Sequence, residues 1–116
     1  MTVDETIKEQ IHALAADVVH QLATQQYDGL RAARGPVSDF VNAVERFRRD
    51  GFTIVDLPDV AYSRFDMYGP NPHRDNWIAN FPLWTREHGE SDLHLYLVFR
   101  KEGGILVAYV DDIYVP

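Results

Sequence analysis

Cysteine is absent from the 116-residue chain, which excludes disulfides, thiolate nucleophiles and cysteine-ligated zinc or iron–sulfur centres. That absence fits a reducing compartment. Positive charge is scarce, with Lys+Arg 11 against Asp+Glu 18 and a formal net charge of −7. Such a balance argues against nucleic-acid binding, which needs a basic footprint, and suits a partner that is itself basic. No apolar run reaches membrane-spanning length, and Asp4 and Glu5 stand where a signal peptide carries positive charge. The expected location is therefore the cytoplasm, with no membrane partner. A Gly-x-Ser-x-Gly elbow and a glycine-rich phosphate loop are also missing, so nucleophilic and phosphate chemistry have no motif. Without repeats or linkers, residues 1–116 read as one domain. Hydrophobic content of 46% and charged content of 25% are those of an ordinary globular chain, long enough to bury a core without staples.

Ile7, Ile11, Leu14, Val18 and Leu22 recur at three- and four-residue steps, which predicts a helix over residues 3–26. Thr2 with Glu5 forms a capping-box pattern at its start, and Tyr27-Asp28-Gly29 marks its exit. Ser38 is expected to cap a second helix that runs to Asp50, with Phe40, Val41, Val44 and Phe47 on its apolar face and Gly51 ending it. Arg46, Arg48 and Arg49 then complement the dipole of that helix. Beyond Gly51 the period changes, and strands are expected over residues 52–57, 60–68 and 77–85. Pro82 requires an edge or a bulge in the last of these. A long hairpin closes the chain, Ser91–Arg100 and Ile105–Pro116 around Lys101–Gly104. Helices followed by meandering strands make an α+β fold: two N-terminal helices packed on a curved, mainly antiparallel sheet of four to five strands, a cystatin-like cone.

The stretch Phe81-Pro-Leu-Trp-Thr-Arg-Glu-His-Gly-Glu-Ser-Asp-Leu-His-Leu, together with Val110-Asp-Asp-Ile-Tyr-Val115, resembles a bacterial family of unknown function with segments of the form plWT-x-EeGrSDL and DDiHV. Tyr114 stands where that family has histidine, and Glu90 where a basic residue is common. The family is similar to the SnoaL-like branch of the nuclear-transport-factor-two-like fold. That resemblance implies either isomerase, dehydratase or cyclase chemistry in the cone, or binding and dimerisation without catalysis. Similar small acidic bacterial proteins serve as immunity proteins, which implies a cognate toxin as partner.

Asp111 and Asp112 are adjacent, so on a regular strand they point to opposite faces and form no dyad. Across the hairpin, a four-residue loop sets His94 opposite Asp111 and a three-residue loop sets it opposite Asp112. Either carboxylate would favour the imidazolium or fix its tautomer, as an acid–base pair or as a bond that organises the strand ends. An enzyme would use His94, Asp111, Asp112 and Tyr96, with Tyr62 and Tyr114 as further donors. A binding protein would instead present Glu87, Glu90, Asp92, Asp111 and Asp112 as an acidic rim, with Tyr114 and Trp84, to a basic partner. His73-Arg-Asp75 and Glu87-His88-Gly-Glu90 match no metal spacing, and no metal or cofactor is expected. Both faces of the hairpin are apolar, so one covers the helices and the other lines a cavity mouth or is buried in a homodimer. The leading expectation is a non-enzymatic protein-binding domain of immunity or accessory type. The alternative is a small-molecule binder or enzyme using the cone cavity.

Overall fold

Helix α1 (Glu5–Ala23) starts at Asp4, whose carboxylate accepts hydrogen bonds from the Thr6 amide at 2.8 Å and the Ile7 amide at 3.4 Å. The computed structural model of the chain describes residues 3–71 and 76–116; Thr2 of the expected capping box and the segment His73-Arg-Asp75 lie outside the described residues. Ile11, Ala15, Val18, Val19 and Leu22 form the buried stripe of α1, as the three- and four-residue spacing requires. A single 3-10 turn, Tyr27–Gly29, follows. Helix α2 (Val37–Arg49) begins one residue before Ser38, after Pro36, and buries Phe40 and Val44. The Tyr27 hydroxyl donates to Glu45, tying the exit of α1 to α2. Burial and that bond push the Tyr27 phenol up to about 12.

Four strands make one antiparallel meander in the order β1 (Asp66–Tyr68), β2 (Asn76–Thr85), β3 (Gly89–Glu102) and β4 (Ile105–Tyr114). The expected strand over residues 52–57 reduces to an isolated bridge between Ile54 and Thr85. The expected strand over residues 60–68 is strand only at its end, because Asp59–Arg64 is a 3-10 helix entered from Pro58. Tyr62 and Phe65 stand three residues apart, and both turn onto His12 of α1, with ring centroids at 4.9 and 5.1 Å. A strand would have sent them to opposite faces. Phe65 also stacks on Phe81 of β2 at 4.0 Å, which closes the core at this end.

Gly103 and Gly104, with φ of +59° and +80°, make a two-residue turn that sets Glu102 against Ile105. Such turns need positive φ at both positions, which glycine adopts at least cost. Partway along the hairpin the register slips: Leu97 pairs with Val110 but Tyr96 pairs with Asp112, so Asp111 is the extra residue of a bulge. The slip returns Ile113 to the core face beside Leu95, where Val110 already lies. A second irregularity, between Pro82 and Trp84, answers the need for a bulge at the proline.

Trp77, Ala79, Phe81 and Leu83 of β2, Leu93, Leu95, Leu97 and Phe99 of β3, and Leu106, Val110 and Ile113 of β4 join α1 and α2 in one core. Phe81, Leu83, Leu95, Leu97 and Phe99 have no exposed surface, so the space where a cone would hold a ligand is filled by side chains.

Candidate functional site

The polar residues between Thr85 and Ser91 hold the β2–β3 connection. Thr85 is buried, and its hydroxyl accepts from the His88 amide at 3.2 Å. Glu87 reaches to the segment after α2, accepting from the Thr53 amide at 2.7 Å and the Thr53 hydroxyl at 2.8 Å. The Arg86 amide donates back to Thr53 and the Val55 amide to Trp84, so residues 53–55 are stitched to the end of β2. Gly89, at φ +71°, turns the chain beneath Trp84, whose ring lies 3.5 Å from where a Cβ would stand.

Ser91 then repairs the sheet. Because Pro82 pairs with His94 but Trp84 with Glu90, three residues of β3 oppose the single residue Leu83. The Ser91 hydroxyl donates to the Leu83 carbonyl at 2.7 Å and accepts from the Leu93 amide at 3.2 Å. It thus gives the Leu83 carbonyl and the Leu93 amide a hydrogen-bond partner where the ladder is interrupted.

The two bonds from Thr53 hold the Glu87 carboxyl below the usual carboxylate range. A carboxylate depressed in the folded state contributes stability above its unfolded value, near about 4.3, that is lost as pH falls through the lower folded value. Glu87→Gln should therefore remove part of the acid slope while leaving the neutral-pH fold intact. Acid titrations of ellipticity test this, and superimposable curves for the two proteins would refute it.

The expected acidic rim is largely paired within the chain. Arg64 grips Glu90 with contacts of 2.8 and 3.3 Å, and Arg34 grips Asp111 with contacts of 2.9 and 3.4 Å. With Glu87 held by Thr53, Asp92 and Asp112 are the rim acids without a side-chain partner among the described residues.

His94 is opposite Tyr114, not Asp111 or Asp112, because the turn has two residues and the Asp111 bulge shifts the register further. The Asn80 amide nitrogen donates to the Tyr114 hydroxyl at 2.6 Å, and its oxygen lies 3.4 Å from His94 Nδ1. With its nitrogen given to Tyr114, the Asn80 amide presents its oxygen as acceptor to the His94 Nδ1–H. Burial, with Asp111 adding to it, pushes the Tyr96 phenol up and keeps it a neutral donor. Asn80, Arg34, Arg64 and Thr53 are partners that sequence reading missed. A strand pattern shows that Asn80 faces away from the core, but only the register shows what it meets.

Direct cross-strand partners share a face, so the register maps the side of the sheet turned away from the helices. One row is Tyr68, Ile78, Val98 and Tyr109, and it crosses all four strands. The next row is Asp66, Asn80, Tyr96 and Asp112, with a carboxylate at each end. At one end of this face a groove of about 460 Å³ runs past Ser63, Arg64, Asp66, Asp92 and His94. Arg100 lies over the Tyr109 ring at 4.6 Å, at the opposite end of the face. Among the described residues no group of three His, Asp or Glu side chains is placed to hold a metal ion. No helix among them is long and apolar enough to cross a membrane.

Residues 19–116 match a family model described as a domain of unknown function, DUF7668. The chain belongs to that family. The DUF7668 match runs from within α1 to the last residue, so it takes in the β2–β3 connection, both bulges and the whole sheet. No curated protein and no solved structure matches the chain.

Proposed function

We propose that this DUF7668 protein is a non-enzymatic, cytoplasmic protein-binding domain of immunity or accessory type, and that its contact surface is the sheet face turned away from the helices. The observation that carries the reading is the pair of rows on that face: an apolar, tyrosine-ended row beside one with aspartates at both ends. Tyrosine combines a large apolar ring with a hydroxyl and is enriched where proteins meet. Asp66, Asp92 and Asp112 have no ion-pair partner among the described residues, so a basic partner would complement them and be steered by them. A photo-crosslinking residue at Tyr96, with the same residue at Asp39 on α2 as control, should trap a different protein from position 96 alone. That protein, once purified, should be basic at its contact surface, and Asp112→Lys should slow its association by about tenfold at low salt. Trapping from position 39 alone, or indifference to Asp112→Lys, would defeat the reading.

A second reading keeps the SnoaL-like resemblance and rests on His94, which lines the groove and contacts Asn80, itself bonded to Tyr114. There His94 would serve as an acid–base group toward a small polar ligand. It places the ligand on the open side of the sheet, since core side chains fill the helix side. Fragment binding that shifts the His94 ring resonances would favour it, and hits confined to other surfaces would sink it.

A further inference from the structure

We propose that the outer edge of β4 is a second contact site, which takes an extended segment of a partner chain by strand addition. The inference is independent of the open-face reading, because it rests on the backbone of the sheet's edge. Val110 directs its amide and carbonyl outward, where they bond Arg31 and Ala33 in a parallel bridge. Along an antiparallel strand the outward-pointing residues alternate, so Ala108 and Leu106 also direct their amide and carbonyl groups to that edge. Neither has a backbone partner there among the described residues. The chain itself therefore shows what this edge accepts, an extended segment, and then leaves the rest of it open.

Beside the open portion runs a groove of about 460 Å³. Leu14 and Val18 of α1 and Leu30 form apolar wall, and Asp17 and Glu102 supply acid. The Gln21 side-chain oxygen, buried in the same wall, has no hydrogen-bond donor among the described residues. From Ile105 to Ala108, short of the position that Arg31 and Ala33 occupy, the edge offers room for about four extended residues, or about 13 Å. An occupant of that kind meets two unpaired ladder positions with its main chain, the apolar wall with alternate side chains, and Asp17 and Glu102 with basic ones. A second copy of this acidic chain fits less well, since two-fold pairing of β4 edges would bring Asp17 of each copy toward the other. The occupant is thus an extended, basic and alternately apolar segment of a different protein.

The test uses the full chain and a capped hexapeptide of alternating valine and lysine. A valine–glutamate hexapeptide and a valine–lysine peptide N-methylated on alternate residues serve as controls. At a probe concentration about ten times its dissociation constant, amide exchange at Leu106 and Ala108 should slow by about tenfold, and neither control should do this. Ala108→Pro removes an outward amide without touching the inner ladder, so it should fold and lose the effect. Asp17→Lys, on the exposed side of α1, keeps the edge intact and should weaken the basic probe at least about threefold through lost charge attraction. Unchanged exchange at both amides overturns the proposal. So does protection that appears without peptide and rises with protein concentration, which would make the occupant a second copy.

Discussion

Replacing Phe81 by alanine should cost about 3–5 kcal/mol of folding free energy, the range for emptying a large aromatic site in a core. The ring has no exposed surface and stacks on Phe65 at 4.0 Å with planes 3° apart. Phe65 follows directly on the 3-10 helix Asp59–Arg64, so the loss also releases the lid at the β1 end of the sheet. A stacked pair adds about 0.5–1.5 kcal/mol beyond area burial. Phe81→Leu keeps most of the volume and loses the stacking, and it should cost less than half as much. Urea unfolding of the three proteins checks this. A Phe81→Ala loss below about 1 kcal/mol, typical of a site that is not tightly packed, would mean that the 3-10 helix does not close the core as described.

Ser91→Ala should be nearly as damaging, about 2–4 kcal/mol, although it removes a single oxygen. The Leu83 carbonyl and the Leu93 amide both lose their partner, and each buried polar group left unsatisfied costs about 1–3 kcal/mol. The rest of the ladder cannot move in to help, because the register on either side is fixed by the pairs Pro82–His94 and Trp84–Glu90. Ser91→Thr keeps the hydroxyl and suits a strand, so it should restore most of the loss. A variant as stable as the parent would show that the bulge finds its hydrogen bonds elsewhere.

The helices and the terminal hairpin were legible because their apolar residues keep one period over many positions, as in Ile11–Leu22 and Leu93–Phe99. Residues 52–68 were not legible. Phe52, Ile54, Tyr62 and Phe65 are good strand formers, yet contacts with α1, α2 and β2 decide their conformation. The site failed to read for a different reason. Two bulges and a two-residue turn set the register, and a slip of one residue moves every cross-strand neighbour. His94 therefore meets Asn80 and Tyr114, and Asp111 meets Arg34, which lies far away in sequence. Nothing local in the sequence announces that Arg34 and Arg64 neutralise two of the expected rim acids.

The segment from Phe81 to Leu93 is thus explained by architecture. Thr85, Glu87, Gly89 and Ser91 each satisfy a turn, a neighbouring segment or an interrupted ladder. Asp92 does not: within the same run, it has no side-chain partner among the described residues and is exposed. Unpaired side chains lie on the open face, and unpaired backbone groups lie along the β4 edge among the described residues. Asp66, Asp112 and the tyrosines Tyr68, Tyr96 and Tyr109 share the open face, set there by pairing across strands.

The most direct measurement is the unfolding free energy of Ser91→Ala beside that of its neighbour Asp92→Ala under identical conditions. If the segment is architecture and its exposed acid is available for contact, Ser91→Ala falls by about 2–4 kcal/mol and Asp92→Ala stays within about 0.5 kcal/mol of the parent. Equal losses at the two positions, or a stable Ser91→Ala with a collapsed Asp92→Ala, would contradict the account.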